Sequence, residues 1–195
     1  MMEPTGLEIG GEALTGLYPR LLGPAWFDLD PVIRRMHLPG RVVISTFEIR
    51  HANGLVARAV RSALRLPTSD DARDTRLVIT RDARTERWTR TFGRRSLVTI
   101  QRALADGSLA ERIGPLELRF RLHTAGGALS YVQIGAVLIV GRWSIPLPRW
   151  IAPRVEAREE REDGGDRAHV HVRIFAPMIG FLMSYEGCLE VEAAG

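Results

Sequence analysis

The chain has 195 residues, near the size of one domain, and 45% of them are hydrophobic, enough for a real core. All 27 basic residues are arginines, which excludes a lysine Schiff base, the lysine of a phosphate-binding loop, the kinase lysine and a Ser-x-x-Lys nucleophile. The net charge is +4, but 23 acidic residues are interspersed with the arginines, as in Arg158-Glu159-Glu160-Arg161-Glu162, and no helix-turn-helix or aromatic RNA signature occurs, so no nucleic-acid partner is expected.

Cys188 is the only cysteine, so an intramolecular disulfide and a multi-thiolate zinc site are excluded, and a cytoplasmic location fits. No run of apolar residues is long enough for a transmembrane helix. Residues 1–16 read as a flexible lead-in. Glu3, Glu8 and Glu12 are unlike the basic start of a secretory signal. Residues 17–195 read as a single α+β domain, with no composition break or internal repeat.

Leu17 to Leu22 gives a short apolar turn. Asp30-Pro31 is a helix start, with an acidic N-cap before proline, and the helix runs through Val32 and Ile33 to about His37, ending at Pro39-Gly40. Arg41 to Arg50 is rich in β-branched residues and reads as a strand. Asn53 is a plausible N-cap for a helix whose apolar face would be Leu55, Val56, Ala59, Val60, Ala63 and Leu64, stopped by Pro67. Arg58, Arg61 and Arg65 form a stripe on its other side, read as a solvated face rather than a phosphate or membrane contact.

From Thr75 the period becomes two. Arg76–Arg81, Glu86–Phe92 and Arg95–Arg102 read as strands. Leu116, Leu118, Phe120 and Leu122 alternate with Glu117, Arg119, Arg121 and His123, one buried face against one wet face. Leu129–Val140 follows. Arg154–Glu162 and Arg167–Ala176 flank the Asp163-Gly164-Gly165-Asp166 turn, and Phe181–Val191 is the last strand. The expected fold is a strongly curved antiparallel sheet or partial β-barrel of about eight strands, plugged by two or three N-terminal helices.

Candidate chemistry is sparse. His169-x-His171 places two imidazoles on one side of a strand, but Ala168, Val170 and Val172 form the opposite, core-like face. A third ligand would have to come from elsewhere, with His123 and Glu117 as examples, and two ligands fall short of a site, so no metal is expected. Cys188 lacks a local sign of thiolate activation. Glu156 and Glu160 share a strand face and Glu159 points the other way, with exposed charge as the default for all three. No dinucleotide fingerprint, H-E-x-x-H or G-x-S-x-G occurs, and no cofactor is expected. The densest unusual segment runs from Trp143 to Arg154. Its three prolines forbid a central strand, and its two tryptophans could rim an apolar cavity or plug the end of the sheet.

Leu17-Tyr18-x-Arg20-Leu21-Leu22-Gly23, the run Ile145 to Ala157 and the run Pro177 to Gly187 together resemble the bacterial domain-of-unknown-function family 4166, in matching order over about residues 17 to 190. The proline-tryptophan run is the most specific part. Members of that family occur alone or at the C-terminal end of Rossmann-type, saccharopine-dehydrogenase-like proteins. They have no established activity, so no catalytic residue carries over. The chain departs from the family's look at Cys188, where a tryptophan is expected, and at His169 and His171. The resemblance implies an accessory role near a reductase. The expected function is a non-enzymatic module binding an apolar or amphipathic small molecule. Trp143, Trp150, Arg154, Glu156 and Tyr185 are its candidate ligand-binding residues. A small enzyme using Glu, His and Arg side chains, and a structural domain without a ligand, remain open.

Overall fold

The computed structural model describes residues 16–38, 42–63, 75–82, 84–92 and 95–191. The expectations placed on Met1–Leu14, Pro39-Gly40, Leu64, Arg65 and Pro67 lie outside those residues.

Two short helices open the described chain, α1 (Leu17–Leu22) and α2 (Pro31–Met36), joined by a 3-10 turn over Gly23–Asp28. The start of α2 is the one read from the sequence. Asp30 Oδ1 accepts a hydrogen bond from Val32 N at 2.9 Å, and Pro31 occupies the first helical position, where no backbone N–H is required. Strand β1 (Val42–His51) leads to α3 (Leu55–Ala63). Here the sequence reading needs correction. Gly54, not Asn53, directly precedes the helix, and Leu55 and Ala59 are exposed while Ala57 is buried. Of the six side chains expected on the apolar face, only Leu55 and Ala59 are described.

The rest is strand: β2 (Thr75–Asp82), β3 (Thr85–Phe92), β4 (Arg95–Ala103), β5 (Leu109–Ile113), β6 (Leu116–Ala125), β7 (Ala128–Val140), β8 (Trp143–Pro146), β9 (Arg154–Arg161), β10 (Ala168–Ala176) and β11 (Gly180–Val191). They form one antiparallel sheet in the order β6-β5-β4-β3-β2-β1-β11-β10-β9-β7-β8, and a further β6–β7 pairing closes it into a barrel-like ring. Ten strands make the ring, and β8 hangs from the end of β7 as a two-stranded arm. The strand count therefore exceeds the expected eight. Two of the additions, β5 and β8, have five and four residues, too short to set up a legible period.

Closure explains the burial pattern. Inward residues such as Leu77 and Ile79, Phe120, Val170 and Val172, and Met183 are buried, whereas His169 and His171 on the outer face of β10 are half-buried. The wet face of β6 holds one surprise. Glu117 is 2% exposed, covered by Arg102 Nη2 at 2.7 Å and Arg119 Nε at 3.3 Å. About eight strands are what side chains alone comfortably fill, so a ring of ten needs additional filling. The helices supply it at one end, where Leu17, Tyr18, Trp26, Val32, Ile33 and Met36 are buried. Leu29 forms a parallel bridge with Gly127 and Asp30 N donates to Gly127 O at 2.9 Å, fastening the plug to the β6–β7 hairpin. Gly127 has φ 81°, a conformation that favours glycine at this turn.

The wall is weakest between β7 and β9, where only Leu129–Glu159, Ser130–Arg158 and Tyr131–Ala157 pair. Beyond them β7 carries a bulge at the Arg119/Phe120 step of β6 and turns to β8. The Gln133 side chain spans the gap. Its Nε2 donates to Pro153 O at 2.8 Å and its Oε1 accepts from Val155 N at 2.7 Å.

The four tryptophans divide cleanly, with Trp26 and Trp88 buried and Trp143 and Trp150 at 65% and 74% exposure. Trp88→Ala is expected to cost ~3–5 kcal/mol, the scale for deleting a large buried aromatic. Trp150→Ala is expected to change stability by less than about 0.5 kcal/mol. Paired chemical denaturation curves check both.

Candidate functional site

The interior of the barrel is unusually polar. Strand β3 sends Glu86, Trp88, Arg90 and Phe92 inward; β4 adds Thr99 and Gln101, β5 adds Glu111, β7 adds Tyr131, β9 adds Glu159 and β11 adds Tyr185. These groups fall into two clusters.

The first lies against the plug. Glu159 is buried, which corrects the expectation that it is exposed strand charge. Its Oε2 is 2.5 Å from His37 Nε2, and its Oε1 accepts from Tyr131 Oη at 2.9 Å. Tyr131 Oη lies 3.1 Å from Tyr18 Oη, and Tyr18 Oη donates to Gln101 Oε1 at 3.0 Å. The Tyr18 ring packs on His37 with centroids 3.9 Å apart. Nearby, Glu86 Oε1 accepts from Leu17 N at 2.8 Å, and Trp88 Nε1 donates to Glu86 Oε2 at 3.4 Å. Plug and wall are thus joined by buried polar contacts whose loss would strand a charge or donor, a cost of about 3–5 kcal/mol for one side of a buried pair.

The second cluster faces a cavity of about 90 Å³ on the barrel axis. Arg90 Nη1 donates to Thr99 Oγ1 at 3.1 Å and stands 3.6 Å from Glu111 Oε1; its guanidinium also lies 5.1 Å over the Trp88 ring. Burial works against the Arg90 charge, yet the facing Tyr185 and Glu111 oxygens hold its pKa above the ordinary arginine value. Apolar side chains including Leu77, Leu118, Val170 and Val172 complete the lining. Tyr131, Tyr185, Arg90 and Glu111 keep some accessible surface while lying deep in the barrel, as groups that face an internal space do.

Outside the wall, an open groove of about 660 Å³ lies along the β7–β9 gap, lined by Val132, Ile134, Leu147, Arg149, Arg154 and Glu156 among others. Tyr131, Val155 and Ala157 line both this groove and the cavity, so only those side chains separate the two.

The five residues singled out from the sequence occupy three different places. Tyr185 faces the cavity. Arg154 and Glu156 form an ion pair on the outer face, beside the groove, and Arg154 lies 5.8 Å over the Phe175 ring. Trp143 and Trp150 point to solvent, so neither plugs the barrel. His171 Nε2 is 3.7 Å from Glu186 Oε2 and accepts from Arg173 Nε at 3.1 Å. His123 is exposed and Glu117 is engaged by its two arginines, so neither joins the histidine pair. Among the described residues no group of three or more His, Cys, Asp or Glu side chains is arranged around a metal position. The Cys188 thiol donates to Glu162 Oε1 at 3.2 Å. Burial and that carboxylate push its pKa up, the opposite of nucleophile activation.

The family model described as domain of unknown function DUF4166 matches residues 29–189, most of the chain. The chain belongs to the DUF4166 family. Neither the comparison with curated proteins nor that with solved structures finds a match. The family description names no activity, so the argument for a DUF4166 function rests on the barrel interior. His37, Glu86, Arg90, Gln101, Glu111 and Tyr131 were not singled out from the sequence. Their one local signal is on β3, where Glu86 and Arg90 share the parity of Trp88 and Phe92 and so the face of two core aromatics.

All three tyrosines, Tyr18, Tyr131 and Tyr185, have pKa values raised above the ordinary 10.0, burial being the largest cause; Glu159 adds to the shift at Tyr18 and Tyr131, while Arg90 opposes it at Tyr185. The native state therefore binds more protons than the unfolded chain above about pH 10, and stability falls as pH rises beyond it. An alkaline titration should show no tyrosinate absorbance in native protein near that pH, then a single cooperative rise that coincides with unfolding. Independent titration of even one tyrosine in folded protein would contradict this burial.

Proposed function

We propose that this DUF4166 domain is a non-enzymatic binding module for a small apolar or amphipathic molecule. The observation that carries this reading is the axial cavity, where an apolar lining surrounds one guanidinium, two carboxylates and two phenols. An apolar pocket with a few convergent polar groups is the usual build of a small-molecule site. Retaining Arg90 and Glu111 in the interior has no clear advantage for stability, since buried ion pairs are often no better than apolar packing. The space of about 90 Å³ sets the ligand's scale, a single ring or short branched chain rather than a long acyl tail. Access runs through the β7–β9 gap, with Arg154 and Glu156 at the outer end and Tyr185 at the inner end. Trp143 and Trp150 line neither the cavity nor the groove. By the fusion habit of its lookalikes, the domain acts beside a Rossmann-type reductase.

A second reading, a small enzyme, is favoured by Glu159. This carboxylate faces the cavity, with His37 behind it and Tyr131 beside it, the arrangement of an oriented general base.

Thermal shift with benzoate, hexanoate and their alcohols tests the first reading. At a hundred times its Kd, a bound probe should add ~2.7 kcal/mol, about 5–10 °C for a domain of this size. Ala157→Phe, which fills the cavity, should abolish the shift, and Arg90→Met should weaken it for the acids more than for the alcohols. A shift lost only in Arg154→Ala would move the site to the outer groove. If no probe stabilises wild type and Ala157→Phe is itself more stable, the space is a packing defect and the binding proposal fails.

A further inference from the structure

We propose that the β7–β8 arm and the loop after it are a docking surface for an anionic lipid bilayer, independent of any ligand in the cavity. Seven of the twelve large apolar side chains exposed among the described residues lie between Val132 and Ile151. Val132 and Ile134 line the outer groove of β7. Val140 pairs with Trp143 at the tip of the arm, and Trp143 and Ile145 share one face of β8. After Pro146 the chain makes a tight turn, with Ile151 N and Ala152 N both donating to Pro148 O at 3.0 and 2.9 Å, which presents Trp150 and Ile151 at its tip. Strand β8 pairs with β7 alone, so none of these side chains is covered by another strand.

Charge decides the occupant. From Leu118 to Val155 the chain holds five arginines and not one Asp or Glu, although 23 acidic residues occur in the whole. Arg142 stacks on exposed Trp143, with its guanidinium 5.4 Å from the ring, and Arg149 edges the groove. Arg119 is paired with Glu117 and Arg154 with Glu156, so Arg142 and Arg149 carry the positive charge of the arm and its loop. A protein partner's apolar face would match the isoleucines and tryptophans but leave the one-signed charge unanswered. An anionic bilayer answers both. Tryptophan favours the boundary between head groups and acyl chains, and arginine beside it meets lipid phosphate. Among the described residues no helix is long and apolar enough to cross a membrane.

Tryptophan emission reads the contact directly, because Trp26 and Trp88 are already buried and only Trp143 and Trp150 have an environment to change. The full chain is mixed with vesicles of phosphatidylcholine, with or without phosphatidylglycerol, and bound protein is measured by co-sedimentation. Wild type should bind the phosphatidylglycerol vesicles with a blue shift in emission, and binding should weaken as salt rises. The double variant Trp143→Ser, Trp150→Ser should lose binding while keeping its circular dichroism and melting temperature. Arg142→Ser and Arg149→Ser should each weaken binding about fivefold. Failure of wild type to bind, equal binding to pure phosphatidylcholine, or unaltered binding by the double tryptophan variant would each overturn the proposal. So would a wild-type dimer that the double variant dissolves and vesicles do not compete with, which would give this face to a second copy of the chain.

Discussion

Glu159 is a carboxylate taken out of water, and both its oxygens are met by groups that come from elsewhere in the fold: His37 at the end of α2 and Tyr131 on β7. A lone buried carboxylate is too costly to keep ionised, so the strand, the plug and the neighbouring strand must arrive together. Tyr131 Oη lies 3.1 Å from Tyr18 Oη, and Tyr18 donates to Gln101, so a run of polar contacts crosses the barrel from β9 to β4 through the plug. These contacts fix the depth and rotation of helices too short to hold themselves in place, each having only six residues.

The same requirement shapes the interior space. A ten-stranded ring is wider than side chains alone close, and the plug fills only one end. What remains is the cavity around Arg90, Glu111 and Tyr185, walled from the outer groove by three side chains on the narrowest seam. The binding proposed inside the barrel and the docking proposed on its outside therefore concern neighbouring faces of one wall, but by different means. Inside, a few polar groups sit in an apolar lining; outside, exposed aromatics stand beside Arg142 and Arg149.

Much of the scaffold was legible because it obeys local rules. Asp30-Pro31 is capped as read, and the alternation in β6 and β10 names the correct inner faces. Glu159 shows where local rules end. Its opposition to Glu156 and Glu160 was readable from strand parity, but its burial was not, because the partner that makes burial tolerable lies 122 residues away. Arg90 and Glu111 escaped for a related reason. In a barrel that is not solid, a charge at an inward position breaks no packing rule, so parity alone does not tell a wet strand face from a wet interior. The outer tryptophans depart from the plug reading alone. Their size suggests burial, yet the prolines around them carry the chain along the outside, where nothing covers them.

Gln133 gives the seam a chemical requirement that no backbone pairing would impose. Its amide donates to one backbone group and accepts from another two residues on, which is how a strand residue treats its neighbour. Only a primary amide has this pair of functions at this reach. A glutamate of the same shape would turn an acceptor toward the Pro153 carbonyl, and the two oxygens would repel. Exchanging that one nitrogen for oxygen would therefore keep the acceptor for the Val155 amide but deprive the Pro153 carbonyl of its donor, loosening the wall along its shortest ladder without unfolding any strand.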